Sequence, residues 1–194
     1  MKDWELVERL KATGRGFYTV ADMEKITGLD RPSLYVSLSR LSRRGVLRRA
    51  ARNLYVLPDA FPPVESLATH LYFPCYLSFE SVLSRAGVIS MIPYAVTFAT
   101  TRKTKRTLIL EQSVEFRKVR EDLFFGFELA DGYYIARPEK ALLDSLYLAV
   151  SGKGPLTEEE LDLSTLDLGL LREFAERFPP AVSRKLANIL RKLG

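Results

Sequence analysis

The stretch RPSLYVSLSRLSRRGVLRRAARNLYVLP, residues 31–58, decides how this chain reads. It holds seven arginines and no acidic residue. The whole chain has 194 residues and a net charge of +5, from 29 basic and 24 acidic side chains. Outside the stretch, 22 basic residues face 24 acidic ones, a balance of −2. The positive charge is therefore a local patch and not a general solubility device. Solvated surface runs usually interleave both signs, and this one does not.

The same stretch has a helical pattern. Asp30 is placed to cap a helix, and Pro32 suits its first turn, where a missing N–H costs nothing. Leu34, Leu38 and Leu41 recur at helical spacing and mark a core face. Ser33, Ser37, Arg40 and Arg44 recur at spacings of four, three and four, which assigns them to the other face. Gly45 ends the helix. VLRRAARNLYVLP then reads as two short strands with a turn near Ala51–Asn53, Asn53 supplying a left-handed backbone.

Working outward, residues 3–13 predict a helix with Asp3 as N-cap and Leu6, Val7 and Leu10 as its apolar stripe. Thr19 and Asp22 have capping-box spacing, so a second helix is expected to start at Val20 and close at Gly28. Three helices followed by a basic hairpin form the pattern of a winged helix-turn-helix. In that fold the third helix enters the DNA major groove, where its serines and arginines reach base edges and phosphates. Arg31 lies at the start of this helix. The hairpin arginines Arg48, Arg49 and Arg52 lie along the backbone or in the minor groove. A carboxylate in this segment would oppose the phosphates. The plainer alternative is a small helical domain whose basic surface serves protein contacts.

PDAFPP, residues 58–63, places three prolines in six positions and is the expected linker between domains 1–58 and 64–194. The second domain opens with an apolar helix around Val64–Tyr72, followed by a helix capped by Ser78 with Phe79, Val82, Leu83 and Ala86 on its face. YAVTFAT, RTLIL, SVEFRKV, DLFFGFEL and YYIA read as strands. RPEKALLDSLYLAV predicts a helix burying Leu142, Leu143, Leu146, Tyr147 and Val150. Residues 157–194 form a helical tail: Thr157 and Glu160 have capping-box spacing, and two amphipathic helices flank Pro179 and Pro180. The tail is expected to pack on the same domain. Helices, then strands, then helices indicate an α+β chain.

The inventory for chemistry is thin. His70 is the sole histidine and Cys75 the sole cysteine, which leaves no zinc site and no intrachain disulfide. Asp131, Glu139 and Lys140 are the residues a two-carboxylate metal nuclease would use. Glu139, however, suits a helix start for its dipole alone, and Lys140 points about 100° away from it on a helix. The expectation is a chain with no catalytic residues, no cofactor and no metal. TTRKTKRT, residues 100–107, is a second basic island, with Arg102, Lys103, Lys105 and Arg106. It reads as a solvated hairpin loop, and a secondary contact to nucleic acid or a partner stays open. No apolar run approaches the ~20 residues of a membrane span, and the N-terminal MKDWELVERL lacks a signal-peptide core. A cytoplasmic location is expected.

Four blocks behind the basic stretch carry a family resemblance: YLSFESVLSRAGVI (76–89), PYAVTFATTRKTKR (93–106), VEFRKVREDLFFGF (114–127) and ARPEKALLDSLYLA (136–149). In this order, after a winged helix, they resemble the AbiE-type antitoxin family of abortive-infection, type IV toxin–antitoxin systems. The resemblance spans roughly residues 5–150. It implies an N-terminal winged helix-turn-helix that represses its own operon, and a mixed α/β C-terminal antitoxin domain that counteracts a nucleotidyltransferase-like toxin. The implied DNA contacts are Arg31, Ser33, Ser37, Arg40, Arg44, Arg48, Arg49 and Arg52. The family's wing turn usually carries glycine where this chain has Asn53. The competing readings are a stand-alone winged-helix regulator without a toxin, and a metal-dependent nuclease with a DNA-binding arm. The expected partners are operator DNA and the toxin.

Overall fold

The structure, a computed structural model, describes residues 2–60, 62–154, 156 and 161–193. It is a mixed α and β chain with two separate sheets. The chain divides into two compact units: Met1–Leu67 with Leu108–Glu111, and Ala68–Thr107 with Gln112–Gly194. The division falls a few residues after the proline-rich segment, inside a helix.

In the first unit, helix α1 spans Asp3–Ala12, α2 Val20–Thr27 and α3 Arg31–Arg43. Asp3 is not the N-cap of α1 but its first residue; the Glu5 carboxylate accepts the Lys2 N–H at 2.9 Å instead. The caps of the other two are as expected. Asp22 N–H donates to the Thr19 hydroxyl oxygen at 3.0 Å, while the Asp22 carboxylate accepts from Thr19 N–H at 2.9 Å. Asp30 accepts from Ser33 N–H at 3.3 Å. Gly28 closes α2 at φ +70°, a left-handed conformation that costs a side-chain-bearing residue energy.

Strands β1 (Phe17–Thr19), β2 (Arg48–Ala51) and β3 (Leu54–Val56) form an antiparallel sheet in the order β1-β3-β2. β1 has no counterpart in the sequence reading, because three residues carry too little periodicity. Asn53 turns β2 into β3 at φ 60°, the left-handed conformation expected of it. The unit's core joins Leu6 and Leu10 of α1, Met23 of α2, and Leu34, Leu38 and Leu41 of α3 to Leu47 and Tyr55. Each such leucine contributes roughly 1.5–3 kcal/mol by leaving water.

The second sheet has six strands, which belong to the second unit except for Leu108 and Ile109. Its strands are β4 (Cys75–Leu77), β5 (Val96–Thr100), β6 (Lys105–Ile109), β7 (Gln112–Lys118), β8 (Phe127–Ala130) and β9 (Tyr133–Ala136), in the order β6-β7-β5-β4-β9-β8. β5 runs parallel to β7 and β4 parallel to β9, while β4–β5 and β8–β9 are antiparallel. The expected strand DLFFGFEL is shorter than its apolar composition suggests. Glu121–Leu123 forms a 3-10 turn, and only Phe127–Ala130 is extended. Gly126 breaks the run at φ +71°, where a Cβ would lie 3.1 Å from carbons of Lys140 and Phe174.

Helices α4 (Val64–Leu71), α5 (Glu80–Arg85), α6 (Pro138–Val150), α7 (Leu168–Ala175) and α8 (Pro180–Leu193) complete the chain. Ser78 does not cap α5. It is buried, and its hydroxyl donates to Asp144 at 2.8 Å. The buried face of α6 is also wider than the leucine pattern implies. Leu142, Leu143 and Leu146 are buried, as are Lys140 and Asp144, whereas Tyr147 is half-buried and Val150 exposed. α6 has this surround because α5, α7 and α8 all pack on it. Val182, Leu186 and Ile189 bury the apolar face of α8. The Thr157–Glu160 capping spacing lies outside the described residues. No helix among the described residues is long and apolar enough to cross a membrane.

Candidate nucleic-acid interface

Helix α3 and the β2–β3 hairpin carry the arginines of the opening stretch. On their exposed side a hydrogen bond joins them: the Tyr35 hydroxyl donates to the Asn53 side-chain oxygen at 3.3 Å. Tyr35 projects from the exposed side of α3, and Asn53 forms the hairpin turn. The helix surface and the hairpin tip are therefore neighbours.

The face of α3 opposite the core differs from the one expected. Ser37 is buried at 6% exposure, and its hydroxyl accepts from Arg40 at 3.3 Å. At 100° per residue, Ser37 falls beside Leu34 and Leu41, not opposite them, so it belongs to the margin of the core. The outermost positions are Tyr35 at 44% exposure, Val36 at 58%, Ser39 and Arg43. Arg43 donates to Ser39 at 3.3 Å, one turn back. Sequence reasoning passed over these four. Measuring 180° from the Leu34–Leu38–Leu41 stripe, instead of following the serines, would have found Val36 and Arg43, with Ser39 beside them; Tyr35 lies on the flank, about 95° from the stripe.

Several expected contact residues hold acidic partners from elsewhere in the unit. Arg40 and Arg44 both reach Asp3 of α1, at 2.9 and 3.6 Å. Arg31 donates to Glu24 at 2.8 Å, and this hydrogen bond raises the guanidinium above its ordinary value. Arg48 pairs with Glu111 at 3.2 Å, so the hairpin arginines are not all without an acidic neighbour. Ser33 is exposed but occupied at the helix start. Its hydroxyl and N–H together lower the Asp30 carboxyl below the usual range. Arg43, Arg49 and Arg52 have no carboxylate partner among the described residues; Arg49 donates only to the Ala51 carbonyl, at 3.4 Å. Exposed ion pairs are worth about 0–1 kcal/mol, so the paired arginines exchange partners easily.

The second basic island is more ordered than a solvated loop. Lys105 and Arg106 lie within β6, not in a loop. Arg102 stacks over the Tyr72 ring at 4.2 Å, and Lys105 lies 5.0 Å from the same ring. The Lys103 carbonyl accepts from the Tyr72 hydroxyl at 2.8 Å, and Arg106 pairs with Glu115 at 2.8 Å.

The three residues a nuclease would use are committed separately. Glu139 is buried and accepts the Asp167 N–H at 2.8 Å, at the cap of α7. Lys140 is fully buried and paired with Asp144, one turn along α6. Asp131 lies in the turn between β8 and β9 at φ 51°. Tyr76 links the pair to the sheet, accepting from Lys140 at 2.8 Å and donating to Asp144 at 2.9 Å. Burial raises the Asp144 carboxyl and lowers the Lys140 ammonium, each against the attraction of the other. Among the described residues, no group of three or more His, Cys, Asp or Glu side chains is placed to hold a metal ion. No protein-family model matches the chain, and a comparison with characterised proteins finds no match.

Proposed function

We propose that the first unit is a winged helix-turn-helix that binds double-stranded operator DNA, with α3 in the major groove and the β2–β3 hairpin as the wing. The chain as a whole then acts as antitoxin and autorepressor of a type IV toxin–antitoxin operon, counteracting a nucleotidyltransferase-like toxin. One observation carries the DNA reading: the Tyr35–Asn53 hydrogen bond sets the outer face of α3 beside the arginine hairpin. Arg43, Arg49 and Arg52 are exposed and have no carboxylate partner among the described residues, which suits a phosphate-binding surface. The antitoxin role rests on the four ordered sequence blocks between residues 76 and 149.

Fluorescence anisotropy with the promoter DNA of the chain's own gene tests the first part. Tighter binding to that DNA than to a scrambled duplex supports it, and equal weak binding to both rejects it. Co-expression with the product of an adjacent nucleotidyltransferase gene tests the second. Unchanged growth arrest in the presence of the full chain would reject the antitoxin role.

A further inference from the structure

The second unit contains a cleft of about 550 Å³ that the DNA reading does not use. β6 and β7 supply Arg106, Glu115, Arg117 and Lys118 to its lining; α6 supplies Tyr147 and Leu148, and Lys153 follows α6. Five cations line it: Arg106, Arg117, Lys118, Arg120 and Lys153.

Three of these cations are already committed. Glu115 is held between Arg106 at 2.8 Å and Arg117 at 3.1 Å. Arg117 also makes two bonds of 2.8 Å to Glu80. Arg120 pairs with Asp122. Lys118 and Lys153 are exposed and have no carboxylate partner among the described residues. The network therefore leaves two ammonium groups facing a concave surface. The half-buried Tyr147 ring lines the same cleft, with Leu148 and Val119 as further apolar wall.

An aromatic ring beside uncompensated lysines has the chemistry of a nucleotide site: a base stacks on the ring, and phosphates meet the ammonium groups. The volume falls within the range of about 300–1,000 Å³ typical of small-ligand sites. We propose that this cleft binds a free nucleoside phosphate, its base against Tyr147 and its phosphates on Lys118 and Lys153. Arg117 and Glu115 are mostly buried and hold each other, so Lys118 and Lys153 are the lining cations without a carboxylate partner among the described residues. This site does not depend on the DNA reading of the first unit.

Isothermal titration of the full chain with ATP, AMP, adenosine, pyrophosphate and a short 5′-phosphorylated RNA tests it. ATP should bind more tightly than adenosine or pyrophosphate. Lys118→Ala combined with Lys153→Ala should weaken ATP by about tenfold or more, the scale of losing one charge-assisted hydrogen bond. Both positions are exposed, so the melting temperature should not change. Tyr147→Leu should weaken ATP and leave pyrophosphate unaffected. Absence of ATP binding at millimolar concentration, or equal ATP affinity in the double variant, overturns the proposal. Tighter binding of the RNA than of ATP overturns the free-nucleotide assignment. Operator affinity, measured in parallel, should be the same in all these variants, so failure here is distinct from failure of the DNA reading.

Discussion

The Arg40 guanidinium donates to the Asp3 carboxylate at 2.9 Å, joining α3 to the first residue of α1 across 37 positions of sequence. Arg44 reaches the same carboxylate at 3.6 Å. One acid thus restrains two arginines assigned to DNA. Asp3→Asn should release both and remove a charge that repels phosphate. Operator affinity should rise by about 1 kcal/mol or less, the scale of an exposed ion pair. Anisotropy at low and physiological salt checks this, and weaker binding by the variant would place Asp3 as an organiser of the surface.

Arg43 lies on the outermost face of α3, and Ser37 at the margin of the core. Arg43→Ala and Arg40→Ala should each weaken operator binding by about 1–3 kcal/mol if the side chain reads a base. Ser37→Ala should leave operator binding unchanged. Competition gel shifts with operator and random DNA separate base reading from phosphate contact.

The hairpin arginines call for a salt titration. Each phosphate contact steepens the plot of log affinity against log salt by about 0.9. Changing Arg48, Arg49 and Arg52 together to alanine should flatten the slope by roughly one to three units. Specific and random DNA should weaken almost equally. An unchanged slope would take the hairpin off the DNA.

The buried Lys140–Asp144 pair should be costly to break. Asp144→Ala leaves the ammonium without its counter-charge and should cost about 3–5 kcal/mol in urea unfolding. Asp144→Asn should cost less, because it can still accept from Tyr76 and Ser78. It also removes the attraction that offsets burial, so the Lys140 ammonium falls further below its ordinary 10.5. The unfolded chain then holds that proton to higher pH than the folded one. Stability of Asp144→Asn relative to the wild type should rise with pH between the variant's Lys140 value and the wild type's own lowered one, both below 10.5, by up to about 1.4 kcal/mol per unit, and level off above that.

Cys75 is buried in β4, and burial pushes its thiol from 9.0 to about 12. The folded value lies above the unfolded one, so its contribution to stability is complete below pH 9.0 and is lost as pH rises towards about 12. Native protein at pH 8 should react with a disulfide reagent far more slowly than urea-unfolded protein. Equal rates would mean that β4 opens freely.

The contrast between neighbouring and distant contacts explains what was legible. Thr19 with Asp22, Asp30 with Ser33, Gly28 and Asn53 all act within a few residues, so the sequence by itself determined the caps of α2 and α3, their closing turns and the arginine hairpin, though not the caps of α1 and α5. It also determined the charge of the opening stretch, since no folding can add an acid to residues 31–58. The acids that meet those arginines were decided only by tertiary structure: Asp3 lies 37 residues from Arg40, and Glu111 lies 63 from Arg48. The same holds for Tyr76, 68 residues from Asp144, and for Ser37, whose burial depends on what packs against the edge of the leucine stripe. A helical repeat gives the angle of a residue around its own axis. How wide an arc is covered depends on the neighbours: α3 buries a narrow stripe, whereas α6, packed by α5, α7 and α8, buries even a lysine and an aspartate.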